Sequence, residues 1–180
     1  MGYIRFMKAV FLDRDGTMIV DPPDLRVDSV NEIELFPDTL EALKLLSTLD
    51  YSVFIISNQV GIGEGRYTYA EFEVIEAEMM RQLEPSGIEI TDTYVCPHLP
   101  EDNCECRKPK PKMILDASRE YDIDLANSYM IGDRQSDIMA GVNAGTKTIL
   151  VKTGNEPVVS AEANYTADNL LAAIKYISIS

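Results

Sequence analysis

The chain has 180 residues, 46% of them hydrophobic, and a formal net charge of −14. That length and apolar content support one globular domain with a substantial core and exclude a disordered chain. The negative charge argues against nucleic acid or an anionic membrane as partner. No stretch reaches the ~18 apolar residues of a membrane span, and Met1 to Lys8 lack a signal peptide's apolar region, so a cytoplasmic location is expected.

The first element is the apolar run Ala9-Val10-Phe11-Leu12, within a buried strand predicted over 8–13. It runs into Asp13-Arg14-Asp15-Gly16-Thr17. Carboxylates two positions apart at a strand end point the same way, and Gly16 permits a sharp turn. Two such groups repel and are costly to desolvate, so the pair points to a metal ion or acid/base chemistry. A polar turn is the bland alternative. An EF-hand is excluded, because the glycine comes at the fourth loop position and the twelfth lacks the bidentate Glu.

Residues 14–36 read as an irregular excursion. Pro37 opens a helix with Leu40, Leu43, Leu46 and Leu49 at helical spacing. A strand over 51–57 ends in Ser57-Asn58-Gln59, followed by Gly61-Ile62-Gly63-Glu64-Gly65. Thr68 and Glu71 form a capping box ahead of Phe72, Ile75, Met79 and Leu83. A strand over 92–96 leads into a long loop, 97–110, and Pro111 opens the third helix. A strand over 128–132 ends at Gly132-Asp133, and a helix over 133–144 carries Asp137 one turn later; seen alone, Asp133 reads more readily as that helix's N-cap. A strand over 147–151 and a helix over 168–177 complete the alternation. The pattern predicts an α/β fold: a Rossmann-like three-layer sandwich with a central parallel sheet, one domain over 1–180, and ligands at the carboxyl ends of the strands.

Three polar clusters thus follow three strands, and a cationic run, Arg107-Lys108-Pro109-Lys110-Pro111-Lys112, enters from the 97–110 loop. Each has a bland reading: a turn at Ser57-Asn58, a cap at Asp133, a solvated face for the lysines. Their shared placement at strand ends favours a hard Mg²⁺ ion plus a phosphate. Ser57, Asn58 and Lys108 can donate to phosphate oxygens.

All three cysteines and the only histidine lie within eleven residues. Cys96, His98, Cys104 and Cys106 form a Cys₃His set suited to a closed, structural Zn²⁺ site. Buried thiols or a disulfide from Cys96 are the alternatives. A metal here would order the loop that leads into Arg107 and Lys108.

Taken in order, D-R-D-G-T, S-N-Q, R-K-P and G-D-R-Q-S-D resemble the four motifs of the haloacid dehalogenase (HAD) superfamily of phosphatases, over nearly the whole chain. The resemblance implies that Asp13 is a nucleophile forming an aspartyl-phosphate and that Asp15 transfers protons. Ser57, Asn58, Arg107 and Lys108 would bind phosphate. Mg²⁺ would lie between Asp13, the Asp15 backbone carbonyl and Asp133, with Asp137 supporting. No cap domain follows the first strand or the 92–96 strand, which implies an open site. The C-P-H-L-P-x₃-C-x-C-R-K-P loop looks like that of the histidinol-phosphate phosphatases and the D,D-heptose 1,7-bisphosphate phosphatases. Its compact spacing, Asp21-Pro22-Pro23 and Ala126-Asn127-Ser128-Tyr129 resemble the histidinol branch. The glycine-rich run after Gly61, Tyr67-Thr68 and Lys152-Thr153-Gly154 resemble the heptose branch, with two departures: Glu64 where that branch carries a basic residue, and Lys112 where it carries Gly.

The expectation is a phosphomonoesterase acting on a small phosphorylated metabolite, with histidinol phosphate placed first and heptose 1,7-bisphosphate second. A non-catalytic zinc-stabilised module and a nucleic-acid end phosphatase are the remote readings. The sequence does not set the oligomeric state; a monomer is compatible with every motif.

Overall fold

The computed structural model describes residues 6–155 and 162–180. Residues 1–5, part of the segment read for a signal peptide, lie outside the described residues. Six parallel strands form one sheet in the order β3-β2-β1-β4-β5-β6. They are β1 (Ala9–Leu12), β2 (Ser52–Asn58), β3 (Ile90–Cys96), β4 (Tyr129–Gly132), β5 (Lys147–Val151) and β6 (Tyr165–Ala167). The helices are α1 (Thr39–Leu46), the short α2 (Val60–Gly63), α3 (Tyr69–Leu83), α4 (Lys112–Tyr121), α5 (Gln135–Ala144) and α6 (Leu170–Ser178).

The period-two alternation of the strands builds the layers. Val10 and Leu12 of β1 face a core shared with Leu43 and Leu46 of α1, Ile75 and Met79 of α3, and Ile174 and Ile177 of α6. Ala9 and Phe11 face the opposite core, with Met113 and Ile114 of α4 and Ala140 of α5. Helices therefore cover both faces of the sheet, as expected for parallel strands buried on both sides. Phe11 and Phe54 on neighbouring strands lie 5.5 Å apart between ring centroids, and Tyr121 of α4 packs edge-on against Phe54 at 5.1 Å.

Between β1 and α1, and between β3 and α4, the chain forms loops with short 3₁₀ turns at Val30–Glu32 and Pro100–Asp102, the first loop tied by β-bridges from Ile19 to Asp15 and Leu35. The strand ends there are roofed by loops. The capping box on α3 is present, with Glu71 N donating to Thr68 Oγ1 and Thr68 N to Glu71 Oε2. Helix α5 differs from expectation. It starts at Gln135 with Arg134 at the N-cap, so Asp133 lies ahead of the helix rather than within it or capping it.

Candidate active site

The carboxyl ends of β1, β2 and β4 meet at one edge. Leu12 pairs with Ile55 on one side and Ile131 on the other, and Asp13 N donates to Ile131 O at 2.9 Å, carrying the ladder one residue further. Gly16 then reverses the chain at φ +81°. Asp137 sits in the first turn of α5, where its Oδ2 accepts from Arg134 N at 2.9 Å. Lys108 arrives from the 97–110 loop and is clamped by Asn58. Lys108 N donates to Asn58 Oδ1 at 3.0 Å, and Asn58 Nδ2 donates to Lys108 O at 3.3 Å.

At the floor, the buried ammonium of Lys108 lies 2.6 Å from Asp13 Oδ1 and 2.7 Å from Asp137 Oδ1, and donates to Ile56 O at 2.7 Å. Burial alone would lower the Lys108 pKa; the facing carboxylates of Asp13 and Asp137 reverse this and raise it, so the lysine stays charged. Burial, with repulsion from Asp137 and Asp15, raises Asp13 to about 6 against the pull of Lys108. Asp133 is pushed to about 9 by burial and by the charges of Asp13 and Asp137. Thr17 Oγ1 donates to Asp133 Oδ1 at 3.1 Å, while the buried Oδ2 has no hydrogen bond. Ligand oxygens of Asp13, Asp133 and Asp137 all lie within 4.8 Å of one another. A buried carboxylate oxygen with no hydrogen bond, only the more distant Arg134 Nε at 3.6 Å, beside two further carboxylates, fits a hard divalent cation such as Mg²⁺. The chain makes room for it: a Cβ at Gly16 or at Gly154 would collide with the Asp133 carboxylate.

Above this floor is a cavity of about 320 Å³ lined by Asp13, Asp15, Asn58, Lys108 and Asp137, with Arg26, Arg107 and Arg134 also in the wall. The four sequence motifs therefore converge on one place. Ser57 lies beneath it, buried, its Oγ accepting from Gln59 Nε2 at 2.7 Å. Asp13 and Asp15 reach the same cavity with separate partners, because the chain leaves strand geometry after Leu12.

Sequence reasoning missed what holds Asp15. Arg14 is fully buried, stacked over Phe72 at 5.3 Å, and reaches Asp15 Oδ1 with Nη2 at 3.0 Å. It also contacts Glu76 at 3.4 Å and Gln59 Oε1 at 3.1 Å. Gln59 Nε2 donates to Asp15 Oδ2 at 2.6 Å, and Tyr67 OH donates to Gln59 Oε1 at 2.8 Å. One signal was present: Glu76 follows Ile75 on the apolar stripe of α3, an acid where a hydrophobe belongs.

The Cys₃His set also converges. Cys96 Sγ lies 3.2 Å from Cys106 Sγ and 3.6 Å from Cys104 Sγ, and His98 Nδ1 lies 3.2 Å from Cys106 Sγ. No pair is at the ~2.05 Å of a disulfide, and the three cysteines are free thiols. Donors around a tetrahedral Zn²⁺, with Zn–S bonds of ~2.3 Å, would stand ~3.8 Å apart. Soft donors at nearly that spacing fit zinc.

Residues 105–175 match the HAD-hydrolase-like family model. The chain is 40% identical over 171 residues to D-glycero-beta-D-manno-heptose-1,7-bisphosphate 7-phosphatase of Helicobacter pylori J99, covering 94% of this chain and 97% of that one. It is 36% identical over 179 residues to the protein of that name from Escherichia coli K12, covering 94% and 91%. The crystal structure of D,D-heptose 1,7-bisphosphate phosphatase from B. bronchiseptica, complexed with magnesium and phosphate, superposes with a TM-score of 0.87 at 33% identity, covering 96% of this chain and 99% of that chain. These relatives reverse the substrate order drawn from the loops: they favour the heptose bisphosphate, expected second, over histidinol phosphate. The loop resemblances that pointed the other way are short, whereas these matches span the chain.

Proposed function

The chain belongs to the HAD-like phosphatases, and on that basis we propose that it is a Mg²⁺-dependent D-glycero-D-manno-heptose 1,7-bisphosphate 7-phosphatase. The observation that carries the substrate is the likeness, across 94% of the chain, to relatives bearing that name.

Asp13 is the nucleophile. Its carboxylate attacks phosphorus and forms an aspartyl-phosphate, while the leaving sugar oxygen takes a proton from Asp15. A carboxylate attacks a phosphate dianion only when charge is neutralised, and Lys108, 2.6 Å from Asp13 Oδ1, supplies part of that. Asp15 then takes the proton of the water that opens the intermediate. Arg14 and Gln59 fix the Asp15 carboxyl from opposite oxygens. Ser57, Asn58, Arg107 and Lys108 hold the phosphoryl oxygens. Mg²⁺ would be held by Asp13, the Asp15 backbone carbonyl and Asp133 with Asp137 supporting, and when bound would supply positive charge against the phosphate. Zn²⁺ would be held by Cys96, His98, Cys104 and Cys106 and would order the loop that delivers Arg107 and Lys108. Its role is structural, since four protein donors leave no open position. Cysteines committed to zinc rather than to disulfides suit a reducing compartment, which supports work in the cytoplasm. No helix among the described residues is long and apolar enough to cross a membrane.

The test is phosphate release with Mg²⁺ from heptose 1,7-bisphosphate, histidinol phosphate and other sugar phosphates. The heptose bisphosphate should give the highest kcat/KM and lose one phosphate. A higher kcat/KM for histidinol phosphate would overturn the substrate; inactivity toward all would overturn the enzyme.

A further inference from the structure

We propose that Arg26 binds the second, non-reacting anionic group of the substrate and that Glu64 is the internal counter-ion this group displaces. The inference deepens the phosphatase reading above and rests on it.

A substrate with two anionic ends approaches a chain of charge −14 whose site floor is built of carboxylates. Cations in the cavity wall must offset that field. Lys108 lies at the floor between Asp13 and Asp137. Arg134 faces Asp21 and Asp133 within the protein, and Arg107 donates to His98 O. Arg26 differs in its partner. Its Nη2 and Nε donate to Glu64 Oε1 and Oε2 at 3.1 and 3.3 Å, a two-point fork of the kind guanidinium also makes with phosphate. Both groups are partly exposed, 25% for Arg26 and 32% for Glu64. Exposed pairs of this kind contribute little to stability, so an incoming dianion can replace Glu64 at small cost. Arg26 itself is well placed before substrate arrives. The preceding Leu25 is held at φ +60° and lines the cavity, and Arg26 Nη1 donates to Leu25 O at 3.1 Å. A strained residue beside a binding group is a recurrent mark of a site whose geometry is fixed in advance.

The same two loops are joined a second time. Arg66 Nη2 reaches Asp24 at 2.6 Å, and Arg66 also pairs with Asp28. Unlike Arg26, Arg66 does not line the cavity. It therefore separates a binding role for Arg26 from simple latching of the loops.

The experiment compares kcat/KM for heptose 1,7-bisphosphate and heptose 7-phosphate, with Mg²⁺, in the wild type and in Arg26→Gln, Arg26→Lys, Glu64→Gln and Arg66→Gln. Arg26→Gln should cut the bisphosphate-to-monophosphate ratio about tenfold or more, chiefly through KM, as expected for loss of a charge-assisted fork. Arg26→Lys should fall between, Glu64→Gln should raise the ratio, and Arg66→Gln should leave it unchanged. A wild type that hydrolyses both without preference, an unaltered ratio in Arg26→Gln, or an equal fall in Arg66→Gln overturns this inference alone. A wild type inactive on both substrates overturns the phosphatase reading together with it.

Discussion

The ammonium of Lys108 donates to Asp13 Oδ1 at 2.6 Å, although 95 positions separate the two residues in sequence. Each is a buried charge made tolerable by the other. Removing one partner of such a pair leaves the remainder uncompensated and typically costs ~3–5 kcal/mol. Lys108→Met, which also strips the counter-charge from Asp137, should therefore destabilise the Mg²⁺-free protein by about 3 kcal/mol or more and abolish turnover. Urea unfolding in Mg²⁺-free buffer measures the first effect and phosphate release the second.

Asp13→Asn is the opposite case. It removes a negative charge that Asp137 and Asp15 repel, keeps the side-chain volume, and leaves the Lys108 ammonium paired with Asp137 at 2.7 Å. Turnover should fall by at least ~10³-fold, since a nucleophile is lost, while the thermal midpoint stays close to that of the wild type. Calorimetry beside a phosphate-release assay checks both. Retained turnover would remove Asp13 from its assigned role.

The buried carboxyl of Asp133 imposes a pH dependence. Its folded pKa, about 9, lies above its ordinary 3.8. Between those values the folded state holds a proton that the unfolded state has lost, so stability of the metal-free protein falls as pH rises from about 4 toward 9. A cation competes with that proton. Mg²⁺ should therefore raise the thermal midpoint more at pH 8 than at pH 5, and equal increments at the two pH values would contradict the assignment.

Gly154 is needed for a different reason from a turn glycine. A Cβ there would meet the Asp133 carboxylate, whose Oδ2 accepts no hydrogen bond. Gly154→Ala should displace that carboxylate and raise the Mg²⁺ concentration for half-maximal activity about tenfold or more, as loss of a well-placed metal ligand would. A Mg²⁺ titration of activity reads this directly.

Zinc carries its own expectation. Elemental analysis of protein purified without chelator should find about one zinc per chain. Cys106→Ser should lower zinc content and activity together, because Lys108 lies two residues further along. Full activity in a zinc-free preparation would separate the cluster from the lysine it adjoins.

Much of this site was legible because its residues stand directly after apolar strands. Asp13 and Asp133 each directly follow a strand, and Ser57-Asn58 close β2. What was not legible is what depends on tertiary contact. Arg14 meets Glu76 across 62 positions, and no local pattern encodes that pairing. Strand β6 was missed because Tyr165-Thr166-Ala167 is a short edge strand with two of its three residues exposed, so it shows no apolar run. The start of α5 was placed two residues early because Gly132-Asp133 reads as a helix opening, whereas the Asp133 carboxylate faces Thr17 and the other two acids. The substrate order was misjudged because the loops that resemble each branch are short, and no single loop outweighs the other.

The position of β1, first in the chain yet flanked by β2 and β4 in the sheet, sets the timetable on which a nascent chain becomes an enzyme. Synthesis delivers Asp13 early, but Lys108, Asp133, Asp137 and Gly154 emerge only as most of the chain has been made. Parallel strands separated by crossovers cannot close until the distant partner exists. A chain ending before Gly154 should therefore release no phosphate, and hydrolytic competence should arrive in a single late step rather than grow with chain length.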